Sequence, residues 1–347
     1  MSNSVKIRFF GDFTTCEVYQ IKYDRELKRN ILRQKGYDYL LKDTKQYLEN
    51  SFNIVNLESP ITNCKSSGLA GKKLSIHWMD PEIAGDFLKR HNIHAVSLGN
   101  NHCLDYGRIG FEQTLSVLNK FEIPYFGAGF DKLHASKPFF KSFEIGTQKV
   151  NLYVFGGYKY REDYDKEFNF YANDNKPGVF ILTPESIKEE IKNIKQNDKN
   201  SIVVIYPHFG GDYTNAVKMQ VDYSKKWIDF GADFVIGHGP HMMNRIEYYN
   251  NIPLIYSLGI FLFPANFQSR MLPFNMIAEL ELLEENNDIT IKKRLYPIHF
   301  ETNSYEPITR PINENELSDF LSLLTDNNQN IIDKLKIFKN ELIYIEI

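Results

Sequence analysis

The feature that most constrains the fold is a regular alternation of short β-type runs with segments of helical periodicity. Strand-like runs such as VKIRFF (5–10), FNIVNL (52–57) and SIVVIY (201–206) are separated by amphipathic segments such as RIGFEQTLSVLNKF (108–121) and TPESIKEEIKNIKQ (183–196). Strands that are joined through helices usually pair in parallel. The alternation therefore predicts an α/β fold with a largely parallel central sheet.

After residue 237 the pattern changes to β-type runs that follow one another directly. The segment RIEYYNNIPLIYSL (245–258) predicts a hairpin that turns at Asn250 and Asn251. The runs MIAELELLEEN (276–286) and DITIKKRLYPIHF (288–300) predict a second pair of strands.

The end of the sequence is again helical in pattern. NELSDFLSLLTDN has apolar residues at helical spacing, and we expect a C-terminal helical extension over 312–340. No internal repeat or low-complexity linker divides the chain. We therefore expect a single domain over 1–347, with its core in 5–300.

Composition and charge bound the class of protein. The 347 residues include 42% hydrophobic and 24% charged residues, which is typical of a globular chain with a sizeable core. A net charge of -3 without blocks of like charge gives no indication of a nucleic-acid partner. Mean hydropathy is -0.40, and the longest apolar stretch, 252–263, is too short to span a bilayer. We expect no membrane segment.

The cysteines and the N-terminal residues indicate a compartment. The cysteines, Cys16, Cys64 and Cys103, are an odd number at irregular spacing, which favours free thiols in a reducing environment. The N-terminal run lacks the charged and apolar regions of a signal peptide. The expected location is the cytoplasm.

Polar side chains with metal-binding chemistry follow five of the predicted strands, at the point where each strand ends. They are Asp12, Glu58, Asn101 with His102, His208, and His238 with His241. Because the carboxyl ends of parallel strands meet at one edge of a sheet, we expect these side chains to lie close together. Carboxylate, amide and imidazole ligands suit Zn²⁺, Mn²⁺ or Fe. The number of ligands is larger than one tetrahedral ion can bind, and it suits two ions that share a carboxylate.

Each of these residues alone has an ordinary interpretation. Asp12 fits a turn or a helix cap, GNNH fits a turn with a left-handed asparagine, and His208 fits a satisfied core histidine. Their joint occurrence at the same strand ends favours a site. The remaining histidines lack this context and are interpreted as ordinary: His77, His91, His94, His134 and His299.

The motifs GDF, NLESPIT, SLGNNHCLDYG, HFGGDY and GADFVIGHGPH, in this order, resemble those of the CapA (poly-γ-glutamate capsule synthesis) family of the calcineurin-like metallophosphoesterase superfamily. The resemblance covers 5–263. It implies a two-sheet β sandwich flanked by helices, in four layers αββα, with a dinuclear site for divalent ions (Mn, Zn or Fe) at the sheet rim.

The resemblance also implies roles for individual residues. The implied metal ligands are Asp12, Glu58, Asn101, His208, His238 and His241. Glu58 would bridge the two ions. His102 would act as the general acid on the leaving group, and Asp105 would orient it through a carboxylate–imidazole hydrogen bond. Asn100 is expected to shape the loop.

The sequence departs from the family pattern at four positions. Thr14 stands where the first motif often has histidine, and Gly239 replaces the first histidine of the last motif, so that either His238 is the substitute or one metal is under-coordinated. Asp212 replaces a glutamate and Ile260 an asparagine. These changes bear on whether the second metal site is occupied and on whether the chain is competent for hydrolysis.

Together these observations predict a metal-dependent phosphoesterase acting on a small-molecule or polymer substrate that carries phosphate. Arg108 and Arg270 are candidates to bind the substrate anion on their chemistry alone, and the sequence favours a solvated surface position for each. Two alternatives are a non-hydrolytic accessory protein of capsule-polymer synthesis and metal-dependent transfer or amide formation. The aromatic segment 158–180 is expected to be a long surface insertion, either a wall of the substrate cleft or a disordered loop.

Overall fold

The structure, a computed structural model, describes residues 4–266, 272–301, 304–306 and 308–347. In these ranges the α-helices are α1 (Glu17–Leu27), α2 (Ile31–Lys35), α3 (Ala84–Arg90), α4 (Gly107–Lys120), α5 (Lys132–Ser136), α6 (Glu162–Lys166), α7 (Pro184–Asn197), α8 (Lys218–Asp229), α9 (Leu317–Thr325) and α10 (Gln329–Ile332). Short 3₁₀ helices lie at Tyr37–Leu41, Lys45–Leu48 and Glu314–Glu316. None of the helices in these ranges is long and apolar enough to cross a membrane.

The strands of the described residues are β1 (Ser4–Phe13), β2 (Phe52–Leu57), β3 (Ile93–Ser97), β4 (Tyr125–Phe126), β5 (Ala128–Gly129), β6 (Phe139–Ile145), β7 (Gln148–Tyr158), β8 (Gly178–Val179), β9 (Ser201–His208), β10 (Phe234–Ile236), β11 (Ile246–Tyr249), β12 (Ile252–Ile255), β13 (Ile260–Leu262), β14 (Phe274–Glu285), β15 (Asp288–Phe300), β16 (Thr309–Pro311), β17 (Lys336–Lys339) and β18 (Ile343–Glu346). A ten-stranded sheet has the order β17-β18-β15-β14-β1-β2-β3-β4, with β13 beside β1 and β16 beside β15. A six-stranded sheet has the order β11-β12-β10-β9-β7-β6, and β5 pairs with β8.

The two large sheets share one apolar core. Ile7 and Phe9 of β1 are buried in the same cluster as Leu152 and Val204 of the six-stranded sheet. Since side chains alternate between the faces of a strand, Phe10 belongs to a different cluster, together with residues of α3 and α4. Residues of α7 and α8 pack with the six-stranded sheet in a third cluster. Helices therefore flank both sheets.

This architecture confirms the mixed α/β class but differs from the single, largely parallel sheet that the strand–helix rhythm predicts. β1 to β4 are parallel, as are β7, β9, β10 and β12. β14, β15, β6 and β11 add antiparallel pairs. The rhythm identified the parallel pairs but carried no information on their division between two sheets.

Both predicted hairpins are confirmed. β11 and β12 pair through Tyr249 and Ile252, and the turn residues Asn250 and Asn251 have φ of 50° and 60°. Asparagine tolerates this left-handed conformation better than most residues, which explains the Asn-Asn pair. β14 and β15 form the longer second pair.

The predicted helical extension over 312–340 is wrong in its second half. α9 ends at Thr325, because Asp326 and Asn327 both take left-handed φ values, of 52° and 53°. After the short α10 the chain forms β17 and β18, and β18 joins the ten-stranded sheet where Ile345 pairs with Leu295. The end of the chain therefore extends the sheet.

Candidate metal centre

Asp12 is held at the carboxyl end of β1 by an irregularity of the strand. The register between β1 and β2 shifts between Phe9 and Asp12, and the Asp12 amide donates to the Gly259 carbonyl oxygen at 2.9 Å. A Cβ on Gly11 would lie 1.8 Å from that same oxygen, so only glycine permits this close approach. The bulge directs the Asp12 carboxylate to the rim of the sheet.

Carboxylates and imidazoles from both sheets converge there. His241 Nδ1 lies 2.9 Å from Asp12 Oδ2, and His238 Nδ1 lies 3.6 Å from Asp12 Oδ1. Glu58 Oε1 lies 3.8 Å from His208 Nε2, and its Oε2 lies 3.7 Å from His241 Nδ1. Each carboxylate therefore lies between two imidazoles. Two sets of three donor atoms are close enough to hold an ion: Asp12, His208 and His238, and Asp12, Glu58 and His241.

Several of these donor atoms are buried without a hydrogen-bond partner among the described residues: both oxygens of Glu58, Oδ1 of Asn101 and Nε2 of His238. Leaving a buried polar atom unsatisfied costs about 1–3 kcal/mol, and more for a charged group. Folded proteins therefore rarely contain a cluster of such atoms. A divalent cation held by Asp12, Glu58 and His241 would satisfy the Glu58 oxygens, so the donor set fits the metals that the family resemblance implies.

The electrostatics also favour cations. Burial together with the neighbouring Asp12 charge raises the pKa of Glu58 well above its usual range. Burial opposes ionisation of Asp12 as well, but the imidazoles of His238 and His241 outweigh it and hold the Asp12 pKa far below its usual range. Burial disfavours a charge on His241, yet Glu58 and Asp12 raise its pKa to about 10. The two carboxylates thus require positive charge, which a metal supplies when it displaces the proton.

Gly239 cannot carry a side chain in this arrangement. Its φ is +110°, and a Cβ would lie 2.9 Å from two ring atoms of His208. The imidazole next to it in sequence, His238, faces Asp12 on the side opposite to Glu58. The structure thus brings His238, the expected substitute, to the rim beside Asp12.

Two asparagines support the centre from behind. Asn56 Nδ2 donates to Asp12 Oδ1 at 2.9 Å, and Asn56 Oδ1 accepts from Asn100 Nδ2 at 3.0 Å. Asn100 also donates to the Leu57 carbonyl oxygen and accepts from the His102 amide. Asn100 therefore shapes the loop, as predicted. Sequence reasoning missed Asn56 because it lies inside β2, one residue before the strand ends, whereas the prediction considered only residues that follow a strand.

His102 is fixed by a carboxylate and accompanied by a buried lysine. Its Nδ1–H donates to Asp105 Oδ2 at 2.6 Å, which leaves Nε2 for the cleft. Lys73 Nζ donates to Asp105 Oδ1 at 2.5 Å and to the Asn101 carbonyl oxygen at 2.6 Å. Lys73 thus ties the loop that carries Asn101 and His102 to Asp105. Its signal in the sequence is no more than a Lys-Lys pair in a segment that contains two glycines.

His77, which the sequence suggested was ordinary, is part of the site. Its ring stacks on that of His102, with centroids 3.5 Å apart and planes 11° from parallel. Its amide donates to Asp105 Oδ2 at 2.6 Å, and its Nδ1 lies 3.2 Å from the Glu58 carbonyl oxygen. His77 follows no predicted strand, so the strand-end rule does not find it.

The centre opens into a cleft of about 580 Å³. The segment 158–180, predicted as a surface insertion, packs tightly instead: Tyr158, Tyr164 and Phe170 are buried. Residues of this segment line the cleft together with Tyr19, Tyr23, Lys22 and Lys72. The insertion is therefore a wall of the cleft and not a disordered loop.

Of the two arginines suggested for substrate binding, Arg108 does not line this cleft. Arg108 is 72% exposed in the first turn of α4 and pairs with Glu112 at 2.7 Å. It is absent from the lining of the cleft, because the helix directs it to solvent. Arg270 lies outside the described residues. The basic side chains that do line the cleft are Lys22, Lys72, Lys73 and Arg161.

Comparison with known proteins agrees with the resemblance read from the motifs. The family model described as "Bacterial capsule synthesis protein PGA_cap" matches residues 6–265. The chain is 32% identical over 239 residues to the PGA biosynthesis protein CapA of Bacillus subtilis (strain 168), covering 67% of this chain and 59% of that protein. It is 25% identical to the capsule biosynthesis protein CapA of Bacillus anthracis, covering 99% of this chain and 81% of that protein.

A more distant relative is a probable polyglutamine synthesis accessory protein of Mycobacterium tuberculosis (strain CDC 1551 / Oshkosh), which is 27% identical and covers 59% of this chain and 54% of that protein. The chain thus spans a little over half the length of two of these three relatives. The family model covers the six-stranded sheet, the strands β1 to β4 and β13 of the ten-stranded sheet, and every strand end that carries a candidate ligand, whereas β14 to β18 lie beyond it. This chain belongs to the PGA_cap family of bacterial capsule synthesis proteins, the CapA family, within the metallophosphoesterase-like superfamily.

Proposed function

We propose that the chain is a metal-dependent phosphoesterase with two divalent ions, of the calcineurin-like four-layer type. The observation that carries this proposal is the pair of buried Glu58 oxygens without protein partners, beside Asp12, His208, His238 and His241, together with the unpartnered Asn101 Oδ1. Mn, Zn and Fe all suit these ligands. Two such ions would supply an activated water and neutralise a phosphate oxygen.

The chain's own residues would position and protonate the substrate. Asp12 and Glu58, each between two imidazoles, hold the ions, and Asn101 adds its amide oxygen. His102, with Nδ1–H donated to Asp105, presents Nε2 to the cleft, and when Nε2 takes up a proton from solvent it gives that proton to the leaving oxygen. Asp105 and Lys73 are positioning residues that act through this loop.

The test is turnover by the Mn²⁺-loaded protein on phosphomonoesters and phosphodiesters. We expect turnover that falls by about 10²-fold or more in His102→Ala, since a positioned proton donor contributes about 10²–10⁴-fold. Asn101→Ala should lower Mn²⁺ affinity as well as turnover. The matched control is His91→Ala, a buried histidine outside the cleft that pairs with Asp38. No turnover by the loaded protein, or turnover unaffected by both changes, contradicts the proposal.

A second candidate is a non-hydrolytic accessory role in capsule-polymer synthesis. It is favoured by the altered last motif, in which Gly239 leaves no room for a side chain, and by the mycobacterial relative, which is named a probable accessory protein of polyglutamine synthesis. Metal content separates the two. Two ions per purified chain support the enzyme, and fewer than one supports the accessory role.

A further inference from the structure

His77 has a hydrogen-bonding atom that the proposed mechanism does not use. The side chain is 2% exposed and lines the cleft. Its Nδ1 lies 3.2 Å from the Glu58 carbonyl oxygen, and because a carbonyl oxygen only accepts, Nδ1 must carry the hydrogen. Nε2 is then the unprotonated nitrogen of the ring and an acceptor.

This acceptor has no partner within the part of the chain that the structure describes. The Phe263 ring, edge-on at 5.2 Å, carries no donor, and the Tyr19 hydroxyl, on a ring centred 5.9 Å away, makes no hydrogen bond to Nε2. Folded proteins rarely leave a buried acceptor without a partner. The partner must therefore enter from the cleft.

A metal ion is not the partner that the surroundings favour. His77, His102 and Asp105 have donor atoms within reach of one ion. However, the Lys73 ammonium lies 2.5 Å from Asp105 Oδ1 and 3.1 Å from His102 Nδ1, so positive charge is already present at this point. A second cation beside the ammonium would be repelled. A neutral donor is the remaining class.

We propose that His77 is a specificity-determining residue whose Nε2 accepts a hydrogen bond from a hydroxyl or amide N–H group of the substrate. This inference rests on the proposed function, because the metal centre must hold the substrate's phosphate. The substrate class is then a phosphate ester with a hydrogen-bond donor close to the phosphate. Sites with a buried polar atom discriminate strongly against analogues that leave it unpaired.

The test uses two phosphonates that cannot be hydrolysed as esters, 2-hydroxyethylphosphonate and 2-methoxyethylphosphonate, which differ in one donor hydrogen. Calorimetry would measure their binding to the Mn²⁺-loaded protein. We expect the hydroxy compound to bind about three- to tenfold more tightly, as one neutral hydrogen bond predicts. The ratio should approach one in His77→Phe, which keeps a stacking ring, and recover in part in His77→Gln, which restores an acceptor.

The control is His91→Phe, the same change at a buried histidine outside the cleft, where the ratio should stay at its wild-type value. Equal binding of the two phosphonates to the wild-type protein overturns the inference without any variant having to fold. A preference that persists in folded His77→Phe overturns it as well. Binding of neither compound overturns the phosphate-binding centre and this inference together, whereas a clear preference without turnover on esters refutes only the hydrolase.

Discussion

Replacing Lys73 by methionine should destabilise the protein by leaving a buried carboxylate without its counter-charge. The side chains of Lys73 and Asp105 are 7% and 1% exposed, and their charged atoms lie 2.5 Å apart. Methionine keeps most of the apolar stem and removes only the ammonium. Breaking a buried ion pair from one side typically costs about 3–5 kcal/mol, because the remaining charge stays desolvated.

The structure places the expected cost near the lower end of this range. Asp105 Oδ2 keeps two donors, the His102 imidazole and the His77 amide, while Oδ1 loses its only donor among the described residues. Burial already raises the pKa of Asp105, and Lys73 opposes this rise. Without Lys73 the carboxyl takes up a proton more readily, which limits the penalty. We expect a loss of about 3 kcal/mol at neutral pH.

Urea unfolding of the metal-free protein measures this loss, and a double-mutant cycle isolates the pair. Lys73→Met, Asp105→Asn and the double variant should give a coupling energy of about 2 kcal/mol. The matched control is Lys195→Met, whose pair with Asp233 is 27% and 35% exposed and should contribute less than about 1 kcal/mol. The reasoning is refuted if Lys73→Met costs no more than Lys195→Met, or if the cycle shows no coupling.

Two further predictions concern a buried acid and a constrained glycine. Burial raises the pKa of Glu17 to about 7 from 4.5, so its contribution to stability is full below pH 4.5 and is lost as the pH rises to 7, by about 3 kcal/mol. The Glu17→Gln variant should therefore become more stable relative to the wild-type protein over that pH range, as urea midpoints measure. A difference in midpoint that stays constant with pH would contradict this. Gly239→Ala should lower both stability, by about 1–3 kcal/mol, and bound Mn²⁺ per chain, because the new Cβ displaces the His208 ring. Gly36→Ala, with φ of +79° and open space around it, is the control for backbone strain alone, and equal effects at the two glycines would rule out the collision.

The sequence was informative where chemistry depends on strand ends. The polar residues after β1, β2, β3, β9 and β10 could be found because each follows an apolar run directly, and parallel pairing brings such positions to one edge. The candidate ligands come from two sheets, whereas the strand–helix alternation predicted a single sheet. The side chains nevertheless lie close together, as predicted, because both sets of parallel strands end at the same rim.

The residues that sequence reasoning missed act by contact across the fold. Asn56 points from inside a strand, Lys73 comes from an irregular loop, and His77 follows no regular element. None of these positions has a periodic pattern or a motif of its own. Their importance arises from which groups they meet, and that depends on the packing of loops between the sheets, which local patterns do not encode.

The cleft wall and the metal centre form one packed unit, and this has a consequence for specificity. The Tyr158 ring meets the His208 ring edge-on at 5.3 Å, and the Lys73 ammonium lies 5.7 Å from the centre of the Tyr164 ring. Both tyrosines belong to the insertion. Of the groups that they contact, His208 is a candidate metal ligand and Lys73 positions the loop that carries Asn101. Because packed interiors transmit small displacements, a change of side-chain volume in this wall should alter metal affinity as well as substrate choice. Changes to the exposed rim lysines, Lys22 and Lys72, meet no such constraint, and the rim is therefore where substrate preference can change without loss of the metals.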